Sequence, residues 1–157
     1  MTISDEVLRN LRKITRAIDL YSKKMVNQYG MTGSQALLMR ELLEAEPLPV
    51  SVLSQRVSLS HATVTGILNR LHKKGLVTRE RDDEDKRRIM VGLSVQGREL
   101  IGGVPSLLQE EFLTRFNSME DWEQSLLLSS LQRVASLMNA QDIDAAPLLT
   151  SGPIDAT

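Results

Sequence analysis

The chain of 157 residues holds two histidines, His61 and His72, and no cysteine. Disulfides, thiolate metal sites and cysteine-based redox sensing are therefore outside its chemistry, and two histidines are too few for a His-built metal cage. His72 is expected to cap or pack near the end of a helix. No Gly-rich phosphate loop is present, so neither a hydrolase nor a metalloenzyme is expected, and no catalytic, metal or cofactor residue is assigned. The chemically pointed residues lie elsewhere. Ser60, Ala62, Thr63, Thr65, Gly66, Asn69, Arg70 and Lys73 mix small, polar and basic types over one short stretch. Small residues let a helix backbone descend into a DNA groove. A Thr methyl meets thymine, Asn pairs with adenine, and Arg pairs with guanine or phosphate. A few residues on, Arg79, Arg81, Lys86, Arg87 and Arg88 surround Asp82, Asp83, Glu84 and Asp85. An Asp beside an Arg holds the guanidinium in one orientation, and an Arg on a protruding tip fits a narrow minor groove. Each group also has a plainer reading, a solvated helix face in the first case and a solvated charged turn in the second.

The elements that must position these residues decide between the readings. Thr32-Gly33-Ser34-Gln35 is a capping box that opens a helix over about 33–45, with Ala36, Leu37, Met39, Leu42 and Leu43 inward and Pro47 and Pro49 ending it. A short helix is predicted at about 50–57, then a break at Ser58-Leu59-Ser60. Ser60 caps a helix over 61–73 that stops at Gly75. At 100° per residue, Ile67, Leu68 and Leu71 fall on the side of Val64 and make a buried stripe. Ala62, Gly66, Asn69 and Lys73 lie opposite, flanked by Thr63, Thr65 and Arg70. Beyond Gly75 the period changes to 2. Leu76–Arg79 and Arg88–Leu93 read as strands of a hairpin around the charged tip. Helix, break, helix and hairpin make a winged helix-turn-helix, whose second helix enters the major groove. The exposed N-terminus of that helix also favours phosphate.

On either side the chain reads as helix. Val7, Leu11, Ile14, Ile18, Tyr21 and Met25 form one narrow apolar seam over about 5–28, which needs a partner helix. Two further helices are expected at about 95–116 and 119–139. Gly102-Gly103-Val104-Pro105 should kink or break the first, since interior Gly and Pro cost about 1 and 3 kcal/mol. Leu126-Leu127-Leu128 puts leucine on three faces of the second, as in a helix covered by more than one neighbour. The expected fold is thus mainly α with a small β-hairpin wing: helical dimerisation regions at 1–30 and 95–140, a winged helix-turn-helix lobe at 31–94, and a loose tail at 141–157.

Charge follows this division. The net charge of −1 conceals +1 over residues 1–48, +5 over 49–98 and −7 over 99–157, which points to a polyanion as partner for the centre. Single-stranded or RNA targets are disfavoured, because residues 30–111 contain no Phe, Tyr or Trp on which bases could stack. No membrane span or signal-peptide pattern is apparent, and cytoplasm is the expected location.

Leu71-His72-Lys73-Lys74-Gly75-Leu76-Val77-Thr78-Arg79, then Asp85-Lys86-Arg87-Arg88, then Leu93-Ser94-Val95-Gln96-Gly97, closely resembles the MarR (multiple antibiotic resistance regulator) family of transcription factors. The resemblance spans roughly residues 5–140 and is strongest over 50–97. It implies a homodimeric, sequence-specific regulator of double-stranded DNA, usually a repressor, on a pseudo-palindromic operator. The helix at 61–73 would read the major groove, and Arg87, supported by Asp85, would reach the minor groove. Dimerisation through the N- and C-terminal helices is implied too, as is release by a small aromatic or phenolic effector bound between the dimer helices and the DNA-binding lobe. Three departures stand out: Ser54 where Ala is frequent, Gly66 where a longer and often basic residue is common, and the interruption at Gly102–Pro105. The competing reading is a winged-helix dimer that has lost DNA binding and serves as a protein-interaction module.

Overall fold

Two capping boxes set the first two helices. In the computed structural model, which describes residues 1–152 and 154, α1 (Ile3–Tyr29) begins where the Thr2 hydroxyl accepts the Asp5 N–H and Asp5 accepts the Thr2 N–H. It ends at Gly30, which adopts the left-handed conformation (φ 66°). The same reciprocal pair, Thr32 with Gln35, opens α2 (Gly33–Ala45). After β1 (Leu48–Pro49) come α3 (Val50–Val57), α4 (His61–Lys73), β2 (Val77–Arg81), β3 (Ile89–Leu93) and α5 (Val95–Gly102). Then follow α6 (Leu108–Asn117) and α7 (Asp121–Leu137). Among the described residues no helix is long and apolar enough to cross a membrane.

The chain divides into two units. Met1–Pro105, with the segment beginning at Leu148, makes the first, and Ser106–Pro147 the second. The core of the first unit is the predicted stripe of α4 packed on its neighbours: Val64, Ile67, Leu68 and Leu71 are at most 1% exposed, as are Leu38, Met39 and Leu42 of α2, Leu53 of α3 and Ile101 of α5. Full burial of each such side chain contributes about 1.5–3 kcal/mol. On α2 the inward residue is Leu38, and Leu37 is only half-buried. Because α2 packs on α3, α4, α5 and β3 together, its buried face is wider than one stripe.

The hairpin has a third strand that the sequence did not reveal. The antiparallel order is β1-β3-β2, with Leu48 opposite Val91 and Val77 opposite Leu93. Glu46 fastens this sheet to α5: its carboxylate accepts the Leu93 N–H at 2.5 Å and pairs with the Arg98 guanidinium.

At Gly102–Pro105 the helix breaks outright. α5 stops at Gly102, and the Arg40 guanidinium donates to the freed carbonyls of Val104 and Pro105 at 3.2 and 3.0 Å. The expected tail also differs in part. Ser22 Oγ lies 3.2 Å from Thr150 Oγ1 and accepts the Ser151 N–H at 2.8 Å, and the Ser34 hydroxyl donates to the Ile154 carbonyl at 2.7 Å. Hydroxyl–backbone bonds need no apolar periodicity, so the sequence offers no sign of this docking. Residues 153 and 155–157 of the predicted tail lie outside the described residues.

In the second unit, Gln124 Nε2 donates to the carbonyls of Phe116 and Met119, and Phe112 stacks on Phe116 with ring centroids 5.6 Å apart. Neither α6 nor α7 contains a buried residue, and within the single chain Leu126, Leu127 and Leu128 are exposed.

Candidate nucleic-acid interface

The turn between α3 and α4 is built by two serines. Ser58 takes the left-handed conformation (φ 54°). The Ser54 hydroxyl donates to the Leu59 carbonyl at 2.6 Å across the turn, while the Leu59 N–H returns to the Ser54 carbonyl at 3.2 Å. Ser54, the departure from Ala, therefore adds one hydrogen bond to this turn, worth about 1 kcal/mol. Ser60 caps α4 by accepting the Thr63 N–H at 3.1 Å, and its hydroxyl also pairs with that of Thr63 at 2.8 Å. Of the residues assigned to DNA on this helix, Ala62, Asn69 and Lys73 are exposed, and Thr63, Thr65, Gly66 and Arg70 are half-buried. A Cβ added at Gly66 would meet nothing within 4 Å. Packing does not demand that glycine; what it provides is a bare strip of backbone on the outer face.

The end of α4 explains the two sequence blocks around the wing. The Leu76 N–H reaches back to Leu71 O and the Gly75 N–H to His72 O, both at 3.0 Å, with Gly75 left-handed (φ 72°). Ser94 then donates to the Gly75 carbonyl at 2.6 Å and caps α5 by accepting the Gly97 N–H at 3.0 Å. A Cβ on Gly97 would fall 2.0 Å from the Leu76 carbonyl oxygen. The Leu-Ser-x-x-Gly ending is thus a clasp: buried Leu93, a bridging Ser94, and a Gly97 that lets two backbones touch.

The wing tip, residues 82–88, is organised by its acids. Asp82 accepts the Glu84 N–H at 3.2 Å and faces Arg88 at 3.7 Å. The Asp82 N–H donates to Arg88 O at 3.0 Å, and the Arg88 N–H to Asp85 O at 2.9 Å. Asp85 Oδ1 accepts both the backbone N–H and Nε of Arg87, whose side chain is 92% exposed. Asp85 thereby braces an arginine that projects from the tip. Helix and wing share one cleft of about 350 Å³, lined by His61, Thr65 and Leu68 of α4, by Arg79, Arg87, Arg88 and Ile89 of the hairpin, and by Pro49, Val50 and Ser51.

Asn69 Oδ1 accepts from Arg79 Nη2 at 2.7 Å. Lys74 donates to the Gly30 carbonyl at 3.1 Å and lies 3.5 Å from Gln35 Oε1. A lysine one residue past a helix end can fold back on whatever junction lies beneath, and here that is the α1–α2 corner. His61 and Arg79 were missed as site residues. Arg79 was signalled by period 2, since it shares a strand face with buried Val77 and so points back towards α4. Among the described residues no group of three or more His, Cys, Asp or Glu could hold a metal ion.

A recognition-type helix, a tight preceding turn and a basic hairpin on one cleft define a winged helix-turn-helix DNA-binding protein. A family model described as MarR family matches residues 29–88. The transcriptional regulator FarR of Neisseria gonorrhoeae is 31% identical over 123 residues, covering 76% of this chain and 80% of the relative. YsmB of Bacillus subtilis, an uncharacterized HTH-type transcriptional regulator, is 28% identical over 82% of this chain and 88% of its own. The chain belongs to the MarR family of DNA-binding transcriptional regulators. Solved structures share the fold: the S. aureus MepR–DNA complex gives a TM-score of 0.60 at 22% identity over 87% of this chain and 98% of that one. A probable transcriptional regulator from Pseudomonas aeruginosa gives 0.55 at 28% identity, over 85% and 99%. The relatives are regulators rather than enzymes.

Proposed function

We propose that this chain acts in the cytoplasm as a homodimeric repressor on a pseudo-palindromic double-stranded operator. In this reading α4 lies in the major groove and the wing tip in the minor groove. The observation that carries it is the common cleft: His61 and Thr65 of α4 line the same cavity as Arg87 and Arg88 of the wing, so both elements address one side of the lobe. The fold is shared with MepR and with reduced AbfR, both of which have been solved bound to DNA.

Dimerisation is supported by large apolar side chains left exposed on α1, including Val7, Leu8 and Ile14, and on α7, including Trp122, Leu126 and Leu131. Large apolar side chains left exposed along one helix mark an interaction face, and a twofold pairing of such faces gives half-sites about 10 bp apart or a multiple of that. A small aromatic or phenolic effector is the class that the family resemblance favours, and the shared cleft, a different place from the one between the dimer helices and the lobe, offers it Arg87, Arg88 and His61 for a polar group and Leu68 and Ile89 for a ring. It would act through its higher affinity for the DNA-free form.

The test is a gel shift with the promoter region beside the gene, run against excess unrelated duplex, together with light scattering of the free protein. A dimer that shifts the promoter at concentrations where unrelated duplex stays free supports the reading. A dimer that binds neither duplex would favour the protein-interaction alternative.

A further inference from the structure

The bond between Arg79 and Asn69 bears on which base the helix reads. Asn69 stands on the exposed face of α4, and Arg79 rises beside it from β2. Arg79 Nη2 donates to Asn69 Oδ1 at 2.7 Å, while its buried Nε has no hydrogen-bond partner. The guanidinium thus meets Asn69 Oδ1 through Nη2, and a charge-assisted bond of this length is a strong one.

An Asn side chain has one carbonyl oxygen and an NH₂ group that only donates. Bidentate readout of adenine requires both at the base edge, with Oδ1 accepting from N6 and Nδ2 donating to N7. Oδ1 keeps a second lone pair, but the Arg79 bond turns it towards the wing, so the end of the amide turned away from the wing is the donor Nδ2. Guanine presents two neighbouring acceptors in the major groove, N7 and O6, and no donor beside them.

We propose that Arg79 is a specificity-determining positioning residue: by holding Oδ1 it makes Asn69 a donor that selects guanine instead of adenine. This rests on the reading of α4 as the major-groove helix. Arg79 itself need not touch the base.

The experiment is selection from a randomised duplex pool with the full chain, followed by sequencing, for wild type, Asn69→Ala, Arg79→Met and Asn69→Asp. Wild type should enrich guanine at one position per half-site, and Asn69→Ala should lose that preference alone. Arg79→Met keeps the length of the side chain, removes the donor and frees Oδ1, so adenine should gain about tenfold over guanine there. A merely structural role for Arg79 would weaken all positions together and swap none. Asn69→Asp, an exposed change that retains the acceptor and deletes the donor, should abolish guanine enrichment, which keeps the inference falsifiable should Arg79→Met not fold. Adenine at the Asn69-dependent position in wild type, or guanine retained in Arg79→Met or Asn69→Asp, would overturn it. Failure of wild type to enrich any motif would instead overturn the reading of α4 on which it stands.

Discussion

Asp85 Oδ1 accepts hydrogen bonds from both the backbone N–H of Arg87, at 3.0 Å, and its Nε, at 3.2 Å, so one carboxylate holds this residue at its root and near its tip. The Arg87 side chain is 92% exposed, and an ion pair so open to water adds about 0–1 kcal/mol to folding. What the pair supplies is orientation. Asp85→Ala should therefore change unfolding free energy by less than about 1 kcal/mol while weakening DNA binding by a larger margin, as read by urea denaturation beside a DNA titration.

The two lysines at the end of α4 should behave differently in salt. Lys73 is exposed, whereas Lys74 is occupied by the Gly30 carbonyl and Gln35. Each phosphate contact contributes about 0.9 to the slope of log K against log salt. Lys73→Ala should lower that slope by about 1, and Lys74→Met should leave it unchanged while reducing stability. Fluorescence anisotropy over a salt series measures both.

Two glycines should respond in opposite directions to the same methyl group. Gly97→Ala forces a Cβ to 2.0 Å from the Leu76 carbonyl, a backbone atom that cannot turn aside, and should destabilise by more than about 3 kcal/mol. Gly66→Ala meets open space on a helix and should stabilise by up to about 1 kcal/mol. Chemical denaturation of the two variants decides the matter.

The segment from Leu148 is anchored on α1 through Ser22, and Ser151 Oγ also lies 3.4 Å from Asp19 Oδ1. Hydrogen bonding from the Lys23 ammonium holds the Asp19 carboxyl below its ordinary value of 3.8. A carboxyl lowered on folding contributes its stability above the unfolded value and loses it as pH falls through the folded one, so this contribution is complete at neutral pH. Ser22→Ala removes two of the anchoring bonds and should cost about 1–2 kcal/mol, with faster amide exchange at Ser151.

Much of this lobe was legible because period carries it. Val64, Ile67, Leu68 and Leu71 recur at helical spacing, Val77 and Arg79 at strand spacing, and Gly102 to Pro105 cannot continue a helix. The two-residue strand β1 was not legible, since Leu48 and Pro49 have no period and are strand only because Val91 and Met90 lie opposite. The partners of Arg79 and Lys74 were hidden for a related reason: a long cationic side chain takes whichever acceptor the tertiary fold brings near, and local spacing does not name it. The apolar seam of α1 divides in the single chain: Val7 and Ile14 are exposed, Leu11, Ile18 and Tyr21 are half-buried, and Met25 is buried.

The central claim is that α4 and the wing grip DNA together, and Arg87→Ala on the best duplex from the selected pool tests it most directly. Truncating an exposed side chain leaves the fold intact, so circular dichroism should match wild type. Loss of a minor-groove arginine should cost about 1–3 kcal/mol of binding, or roughly 5- to 150-fold in affinity. A titration curve within twofold of wild type would contradict the account.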